Sequence, residues 1–210
     1  MCSSGSSAFS VRRVRGFTMV ELMVVIAIAA LLLFAVVPSV ADWIRNVRVR
    51  SSAESIASGV NVARMEAIRR NQIVSFWLVN SPGGTGLLDS SCVRSATSAS
   101  WVVSLDDPAG LCDVAPSIAT APRMVSSRAA GPTGQDVVVG GLDISGNSAN
   151  SVAFNGYGQP VTGVGGTPIA SIDVSSAASG ARRLRIVIST GGDVRMCDRD
   201  VSSADPRRCY

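Results

Sequence analysis

The sequence Gly16-Phe17-Thr18-Met19-Val20-Glu21 opens an apolar run that continues from Leu22 to Val37. These sixteen residues carry neither a charge nor an amide side chain, so Glu21 is the single carboxylate at the upstream end of the run. The 24 residues from Phe17 to Val40 would form about 36 Å of helix, enough to cross the ~30 Å hydrocarbon core of a bilayer. We therefore expect a membrane-spanning helix. Because an acidic side chain in hydrocarbon is costly, Glu21 needs a cationic partner.

A basic segment precedes Gly16, and Gly16 lies before the apolar run, whereas the cleavage site of a secretory signal peptide follows it. The arrangement resembles the N-terminal signature of type IV pilins and type II secretion pseudopilins. The resemblance implies cleavage by a prepilin peptidase between Gly16 and Phe17, methylation of the new N-terminal Phe17, and pairing of Glu21 with the α-amino group of Phe17 on a neighbouring subunit. Pro38 falls where many pilins carry a helix-kinking proline. The alternative is a plain single-span anchor that happens to contain a glutamate.

The helical pattern extends beyond the apolar run. Apolar residues recur at spacings of three and four, first at Val40, Trp43, Ile44 and Val47, then from Ala53 to Ala67. We expect one helix from Phe17 to about Asn71, kinked near Pro38, whose second half packs one stripe on a folded domain.

After Asn71 the pattern alternates as in β-strands. Predicted strands cover residues 73–79, 101–105, 124–126, 137–139, 151–154 and 169–174, and a hairpin joins 183–188 to 194–196. Glycine-rich turns are predicted at 131–134, 140–141 and 163–166. The fold class is therefore α+β, with a long N-terminal helix, transmembrane in its first half, packed on an antiparallel β-sheet. The resemblance implies that this is the pilin-like fold. The expected divisions are a cleaved leader 1–16, a membrane and assembly segment 17–40, an amphipathic helix 41–71 and a soluble β-rich domain 72–210.

Four cysteines remain after removal of the leader: Cys92, Cys112, Cys197 and Cys209. An even number outside the cytoplasmic membrane favours disulfides. Three connectivities are open, and we favour the local one, Cys92–Cys112 with Cys197–Cys209. The chain has no histidine and no CxxC spacing, which argues against a metal site and against a Ser/His or Cys/His catalytic pair. We expect no enzyme activity and no cofactor.

The C-terminal half carries a narrower resemblance. Phe154-Asn155-Gly156-Tyr157-Gly158, the hairpin from Arg182 to Met196, and the ending that contains Asp205-Pro206-Arg207-Arg208-Cys209 are similar to the GspH/FimT branch of minor pilins and pseudopilins. The resemblance implies a minor type IV pilin that helps to initiate, cap or decorate a pilus, or alternatively a minor pseudopilin of a type II secretion system. Its partners would be other pilins or pseudopilins, the prepilin peptidase and the bacterial inner membrane, with the soluble domain in the periplasm.

A further hypothesis concerns DNA uptake, a role with which FimT-like minor pilins are associated through arginines near the C-terminus. All 19 basic residues of the chain are arginines, and after loss of the leader 16 face 15 carboxylates. The candidate DNA-binding residues are Arg182, Arg183, Arg185, Arg195, Arg207 and Arg208. Arg183 and Arg185 would share one strand face, with Arg195 across the hairpin, as a track for phosphates. The alternative is that these arginines are solvated and paired with nearby aspartates.

Overall fold

The computed structural model describes residues 16–83, 86–134, 136–178 and 180–209, and side chains 33–39, 132 and 133 lie outside this description. The predicted leader and its arginines therefore fall outside the described residues, except Gly16. The chain divides into two compact units between Ala41 and Asp42.

The first described element is a long helix, α1, Met19–Arg70. It ends where Asn71 takes a φ of 50°. The Asn71 N–H donates to the Ile68 carbonyl and the Gln72 N–H to the Ala67 carbonyl, both at 3.3 Å. This is the Schellman arrangement, in which a residue in the left-handed region lets the last free carbonyls of a helix find donors. The prediction of a helix from Phe17 to about Asn71 agrees with this within two residues at each end.

One stripe of α1 is completely buried. It consists of Val49, Ala53, Ile56, Val60, Ala63 and Ala67. Alternating steps of four and three residues place these side chains on a single helix face. The earlier part of the predicted stripe behaves differently, because Val40, Trp43, Ile44 and Val47 are exposed. The strands cover the helix only from Val49 onward, so the periodicity of the earlier residues did not predict burial.

The first sheet, sheet A, has the strand order β4-β3-β1-β6-β7, with β2 also paired to β1. Its strands are β1 Val74–Asn80, β2 Val93–Arg94, β3 Ser100–Ser104, β4 Met124–Arg128, β6 Ser151–Phe154 and β7 Pro160–Val161. All of these pairings are antiparallel. The central strand β1 is buried on both faces, from Val74 to Val79.

The second sheet, sheet B, has the order β10-β9-β8-β5 and is also antiparallel. Its strands are β5 Val137–Leu142, β8 Ser171–Ser176, β9 Leu184–Ile188 and β10 Val194–Asp198. A four-residue helix, α2 Gly131–Gly134, lies between β4 and β5.

Both sheets pack their inner faces on the buried stripe of α1, and together they form one apolar cluster. A smaller cluster lies on the outer side of sheet A, where Trp77, Val79 and Val102 pack with the Cys92–Cys112 disulfide and Met124. The α+β fold with a helix on antiparallel strands is confirmed, but the strands form two sheets, where the sequence predicted one.

The predicted turn at Gly140-Gly141 is wrong, because both residues lie inside β5. Gly141 receives a hydrogen bond from the Ala149 N–H and donates one to the Ala96 carbonyl. A Cβ at Gly141 would collide with the Ala149 carbonyl oxygen. The glycine here allows two backbones to approach closely within a sheet rather than making a turn. The predicted turn at 131–134 is α2, and the two-residue strands β2 and β7 were not predicted.

Arg64 joins α1 to two turns of the β-domain. Its guanidinium donates to the Gly158 carbonyl at 3.2 Å, to Asp193 Oδ1 at 3.1 Å and to the Gly191 carbonyl at 3.4 Å. The β9–β10 turn approaches the β6–β7 turn so closely that a Cβ at Gly192 would collide with the Gly158 carbonyl oxygen. Gly192 also has a φ of 86°.

We therefore expect Gly192→Ala to lower the free energy of unfolding by about 2 kcal/mol or more, because it adds a backbone clash to an unfavourable φ. Gly191→Ala is the matched control, since the atoms nearest to its added Cβ are Ser189 Oγ at 3.8 Å and Asp193 Oδ2 at 3.9 Å. It should change stability by less than ~0.5 kcal/mol. Urea unfolding monitored by tryptophan fluorescence measures both, and equal stabilities of the two variants would contradict this reading of the turn.

Candidate functional site

The N-terminal site begins with Gly16 and Phe17, which are both exposed and precede α1. Thr18 and Glu21 form a reciprocal cap at the start of the helix. The Glu21 N–H donates to Thr18 Oγ1 at 3.2 Å, and the Thr18 N–H reaches Glu21 Oε2 at 3.5 Å. This is the capping box, in which a threonine and a glutamate three residues later satisfy two free donors at a helix start. The Thr-x-x-Glu spacing is its sequence signature, and our sequence analysis missed it.

The following helix segment exposes almost all of its apolar side chains. Phe17 just before the helix, and Met19, Val20, Leu22, Met23 and Leu31 within it, are each more than half exposed. A continuous apolar surface of this kind marks a membrane or protein contact. Within the described part of the chain, none of the helices combines the length and the hydropathy that a bilayer crossing requires. The membrane-spanning segment 17–40 and the domain limits drawn from it stay predictions.

Pro38 lies inside α1, which continues through it as a helix. Its side chain is outside the described residues, so the kink at this position stays a prediction.

The β-domain contains two disulfides, and the second of them holds the C-terminal site. Cys92 and Cys112 are bonded, with their Cα atoms 6.1 Å apart, and Cys197 and Cys209 are bonded, with their Cα atoms 5.0 Å apart. These are the pairs of the local connectivity. The second bridge ties the C-terminal tail beside β10, where the Asp198 N–H donates to the Arg207 carbonyl at 2.7 Å and the Cys209 N–H to the Asp198 carbonyl at 3.2 Å. The arginines of the tail are thereby held against sheet B.

The sheet register places two of the candidate DNA-binding arginines on one face. Arg185 of β9 lies opposite Asp173 of β8 and Cys197 of β10. Arg195 lies two residues before Cys197 in the same strand and therefore points to the same side. This face is the outer side of sheet B, because Ile186, the residue after Arg185 in β9, points to the opposite side and lies in the core.

Carboxylates pair with four of the six candidate arginines. Arg185 forms a two-pronged ion pair with Asp173 at 2.6 and 2.7 Å, and Arg199 reaches the same carboxylate at 2.9 Å. Arg183 pairs with Asp200, with Nε 2.8 Å from Oδ1.

The other two pairs lie in the C-terminal tail and at the end of β10. Arg207 pairs with Asp205 at 2.7 Å, and Arg182 lies 4.0 Å from Asp198. In the described part of the chain, Arg195 and Arg208 are the two candidate residues that form no ion pair. The structure therefore divides the predicted arginines: Arg185 and Arg195 share the outer face of sheet B, whereas Arg182 and Arg207 line a pocket beside α1. An acidic group pairs with four of the six.

These pairs shift the acidities of the partners. The hydrogen bond from Arg183 lowers the pKa of Asp200, and the hydrogen bond that Arg185 donates to Asp173 raises the pKa of Arg185. The hydrogen bonds from the Arg207 side chain and backbone lower the pKa of Asp205 to about 2.

Comparison with known protein families identifies the family to which the chain is related. A family model described as the type II transport protein GspH matches residues 52–192, and a model of the prokaryotic N-terminal methylation motif matches residues 11–37. The chain belongs to the GspH family. The two matches confirm the resemblance to the GspH branch of type IV pilin-like proteins. No curated protein sequence matches this GspH-family chain significantly.

Among solved structures, the chain is similar to the type IV minor pilin FimU of Pseudomonas aeruginosa strain PAO1 in two crystal forms. In one form the sequence identity is 15% and the TM-score 0.45, over 77% of this chain and 95% of FimU. In the other the identity is 18% and the TM-score 0.40, over 77% of this chain and 99% of FimU.

The GspH domain begins inside α1 and ends in the β9–β10 turn, while the methylation motif covers the cap and the exposed apolar segment. This GspH-family chain is thus a pilin-like or pseudopilin-like structural subunit. Membership of this class implies processing by a prepilin peptidase and assembly with other pilin-like subunits. It also implies a membrane-anchored precursor with a periplasmic domain.

The Asp205–Arg207 pair provides a pH test of the tail. The folded-state pKa of Asp205, about 2, lies below its ordinary value of 3.8. The pair therefore stabilises the folded tail above pH 3.8, and this contribution is lost as the pH falls toward 2. Because the pair is exposed, solvent screening keeps its effect on global stability small.

We expect the Asp205 carboxyl carbon to titrate near pH 2 by NMR, and Arg207→Ala to raise that midpoint toward 3.8. Arg208→Ala is the matched control and should leave the midpoint unchanged. An unchanged midpoint in Arg207→Ala would contradict the assigned cause.

Proposed function

We propose that this chain is a minor type IV pilin, a low-abundance subunit that helps to initiate, cap or decorate a pilus. The observation that carries the proposal is the exposed apolar segment of α1 with one carboxylate, Glu21, in its first turn. Such a surface needs a bilayer before assembly and neighbouring apolar helices after it. In apolar surroundings the carboxylate pairs with the α-amino group of Phe17 on a neighbouring subunit, so that Glu21 sets the axial register.

The local cap formed by Thr18 offers a competing role for Glu21. If the carboxylate serves only as a helix cap, its charge is dispensable and Thr18 is as important as Glu21. If it pairs with a neighbouring subunit, the charge itself is required. The two roles can be separated because an amide can still accept a hydrogen bond from the Thr18 N–H.

We expect Glu21→Gln to reduce incorporation of the subunit into filaments by about tenfold or more, since losing a charge pair in apolar surroundings exceeds ~1.4 kcal/mol. Thr18→Ala, which keeps the charge, should have a much smaller effect. The measurement is the amount of subunit in the sheared filament fraction relative to the membrane fraction. Glu54→Ala is a control, because Glu54 forms an exposed ion pair with Arg50 on the surface of α1. Equal losses in Glu21→Gln and Thr18→Ala would contradict the pairing.

The second candidate is a minor pseudopilin of a type II secretion system, which the description of the matching family favours. The pilus is preferred because the disulfide-bridged tail resembles FimT-like minor pilins. Deletion of the gene distinguishes them. Loss of pili with normal protein secretion supports the minor pilin, and loss of secretion with normal pili supports the pseudopilin.

DNA binding by the C-terminal arginines stays a hypothesis. The ion pairs determine which of these arginines should be replaced to test it. Arg195 and Arg208 have free guanidinium groups among the described residues, whereas Arg183, Arg185 and Arg207 would have to exchange a carboxylate for a phosphate.

If the domain binds DNA, the variant Arg195→Ala/Arg208→Ala should weaken binding more than Arg183→Ala/Arg185→Ala, because the paired arginines offer less free charge to phosphates. Loss of two phosphate contacts should make the negative slope of log affinity against log salt less steep, by about 1.5 to 2. Fluorescence anisotropy of the full chain with a labelled oligonucleotide, repeated across salt concentrations, measures this. Unchanged binding after Arg183, Arg185, Arg207 and Arg208 are all replaced by alanine would exclude the track that the sequence predicted.

A further inference from the structure

A pocket of about 250 Å³ lies between α1 and the end of strand β4. Its polar lining consists of Arg48, Ser51, Ser52 and Ser55 from α1, and Arg128 from β4. We propose that this pocket binds a phosphate group.

The register of sheet A directs Arg128 into the pocket. Arg128 lies opposite Trp101 of β3, and directly paired residues share one face of a sheet. Trp101 faces α1, because it belongs to the core cluster and its Nε1–H donates to Ser55 Oγ at 3.1 Å. Arg128 therefore extends from the helix-facing side of the outermost strand toward the serines of α1.

The lining of the pocket is rich in donors and carries net positive charge. The side chains of Ser51, Ser52 and Arg128 form no hydrogen bond or ion pair with other residues in the described ranges. Arg48 uses Nη1 for Asp136, at 2.7 Å, and its other N–H groups have no recorded partner among the described residues. Ser55 accepts from Trp101, which leaves its hydroxyl hydrogen free to donate.

A phosphate group matches this lining better than other ligand classes do. Two guanidinium groups supply forked donors that fit its oxygens, and serine hydroxyls complete the set. A cation would face two arginines and a single carboxylate, Asp136, that is already paired. An apolar ligand would bury at least four donors without partners, which is costly.

Two sources could supply the phosphate group, a phospholipid headgroup or free phosphate. Arg48 follows Val40, the end of the predicted membrane segment, by eight residues. Between them lies Trp43, a residue that is 67% exposed, and exposed tryptophans are typical of the membrane–water interface. The position in the chain is thus compatible with a headgroup, and the pocket chemistry is the same for either source.

The experiment uses the full chain in maltoside micelles, which contain no phosphate. Inorganic phosphate is titrated by isothermal calorimetry, with acetate at equal ionic strength as a carboxylate control. In a second arm, phosphatidylglycerol is added to the micelles and the change in tryptophan fluorescence is recorded, since Trp101 bonds directly to a pocket serine.

We expect saturable binding in at least one arm, and a loss of roughly tenfold or more in Arg128→Ala, because a charge-assisted hydrogen bond is removed. Arg69→Ala is the control, an exposed arginine of α1 that lies outside the pocket and pairs with Glu66, and it should bind like the parent chain. Circular dichroism and thermal unfolding establish that both variants fold, and Arg128→Lys should restore part of the affinity.

Saturation with phosphate alone assigns free phosphate, and saturation with lipid alone assigns the headgroup. Absence of saturation in both arms, equal affinity for acetate, or an equal loss in Arg69→Ala would overturn the proposal.

Discussion

The folded domain depends on the narrow apolar stripe of α1 that both sheets share. Three of its buried residues are alanines, Ala53, Ala63 and Ala67, and small side chains let strands approach the helix axis closely. Each sheet has one face that must be covered, and here a single helix covers both. The position of the sheets along α1 follows from this stripe, because it begins at Val49 and ends beside the Schellman cap. The helix residues before Val49, among them the exposed Trp43, lie outside this stripe, and the pocket lies beside its first turns, where Ser51, Ser52 and Ser55 face the end of β4.

Arginine pairing determines which parts of the domain surface can attract anions. The chain has no lysine, and beyond Gly16 its 15 carboxylates are nearly as numerous as its 16 arginines. Guanidinium groups form two-pronged pairs, as between Arg185 and Asp173. Since such pairs offset most of the positive charge locally, the overall basic pI is a poor guide to ligand binding. The informative arginines are those without a carboxylate among the described residues, of which Arg128 lies in a pocket and Arg195 on an open sheet face.

The N-terminal segment and the β-domain have separate physical requirements. The domain buries its own apolar surface against the α1 stripe, and the Cys197–Cys209 bridge holds its C-terminal tail in place. The segment from Phe17 to Leu32 does not, because its apolar side chains remain exposed. This division leaves the N-terminal apolar surface available to other partners while the domain stays folded on its own core.

The sequence by itself determined the long helix, the alternating strands, the C-terminal hairpin and the motif around Gly16, Phe17 and Glu21. These are local features, because helical periodicity, strand alternation and turn residues are set by near neighbours in the chain. The strand Ser151–Phe154 was predicted to the residue for this reason. The capping box of Thr18 and Glu21 was equally local, and its spacing could have been recognised.

Only the tertiary structure decided how the strands divide into two sheets, why Gly141 belongs to a strand, and which carboxylate faces each arginine. Arg64 contacts residues more than ninety positions away, and Arg48 pairs with Asp136 across eighty-eight. No local pattern encodes such pairs, because their partners are chosen by the packing of distant segments. The pocket around Arg128 has the same origin, since it exists only where the end of β4 passes the serines of α1.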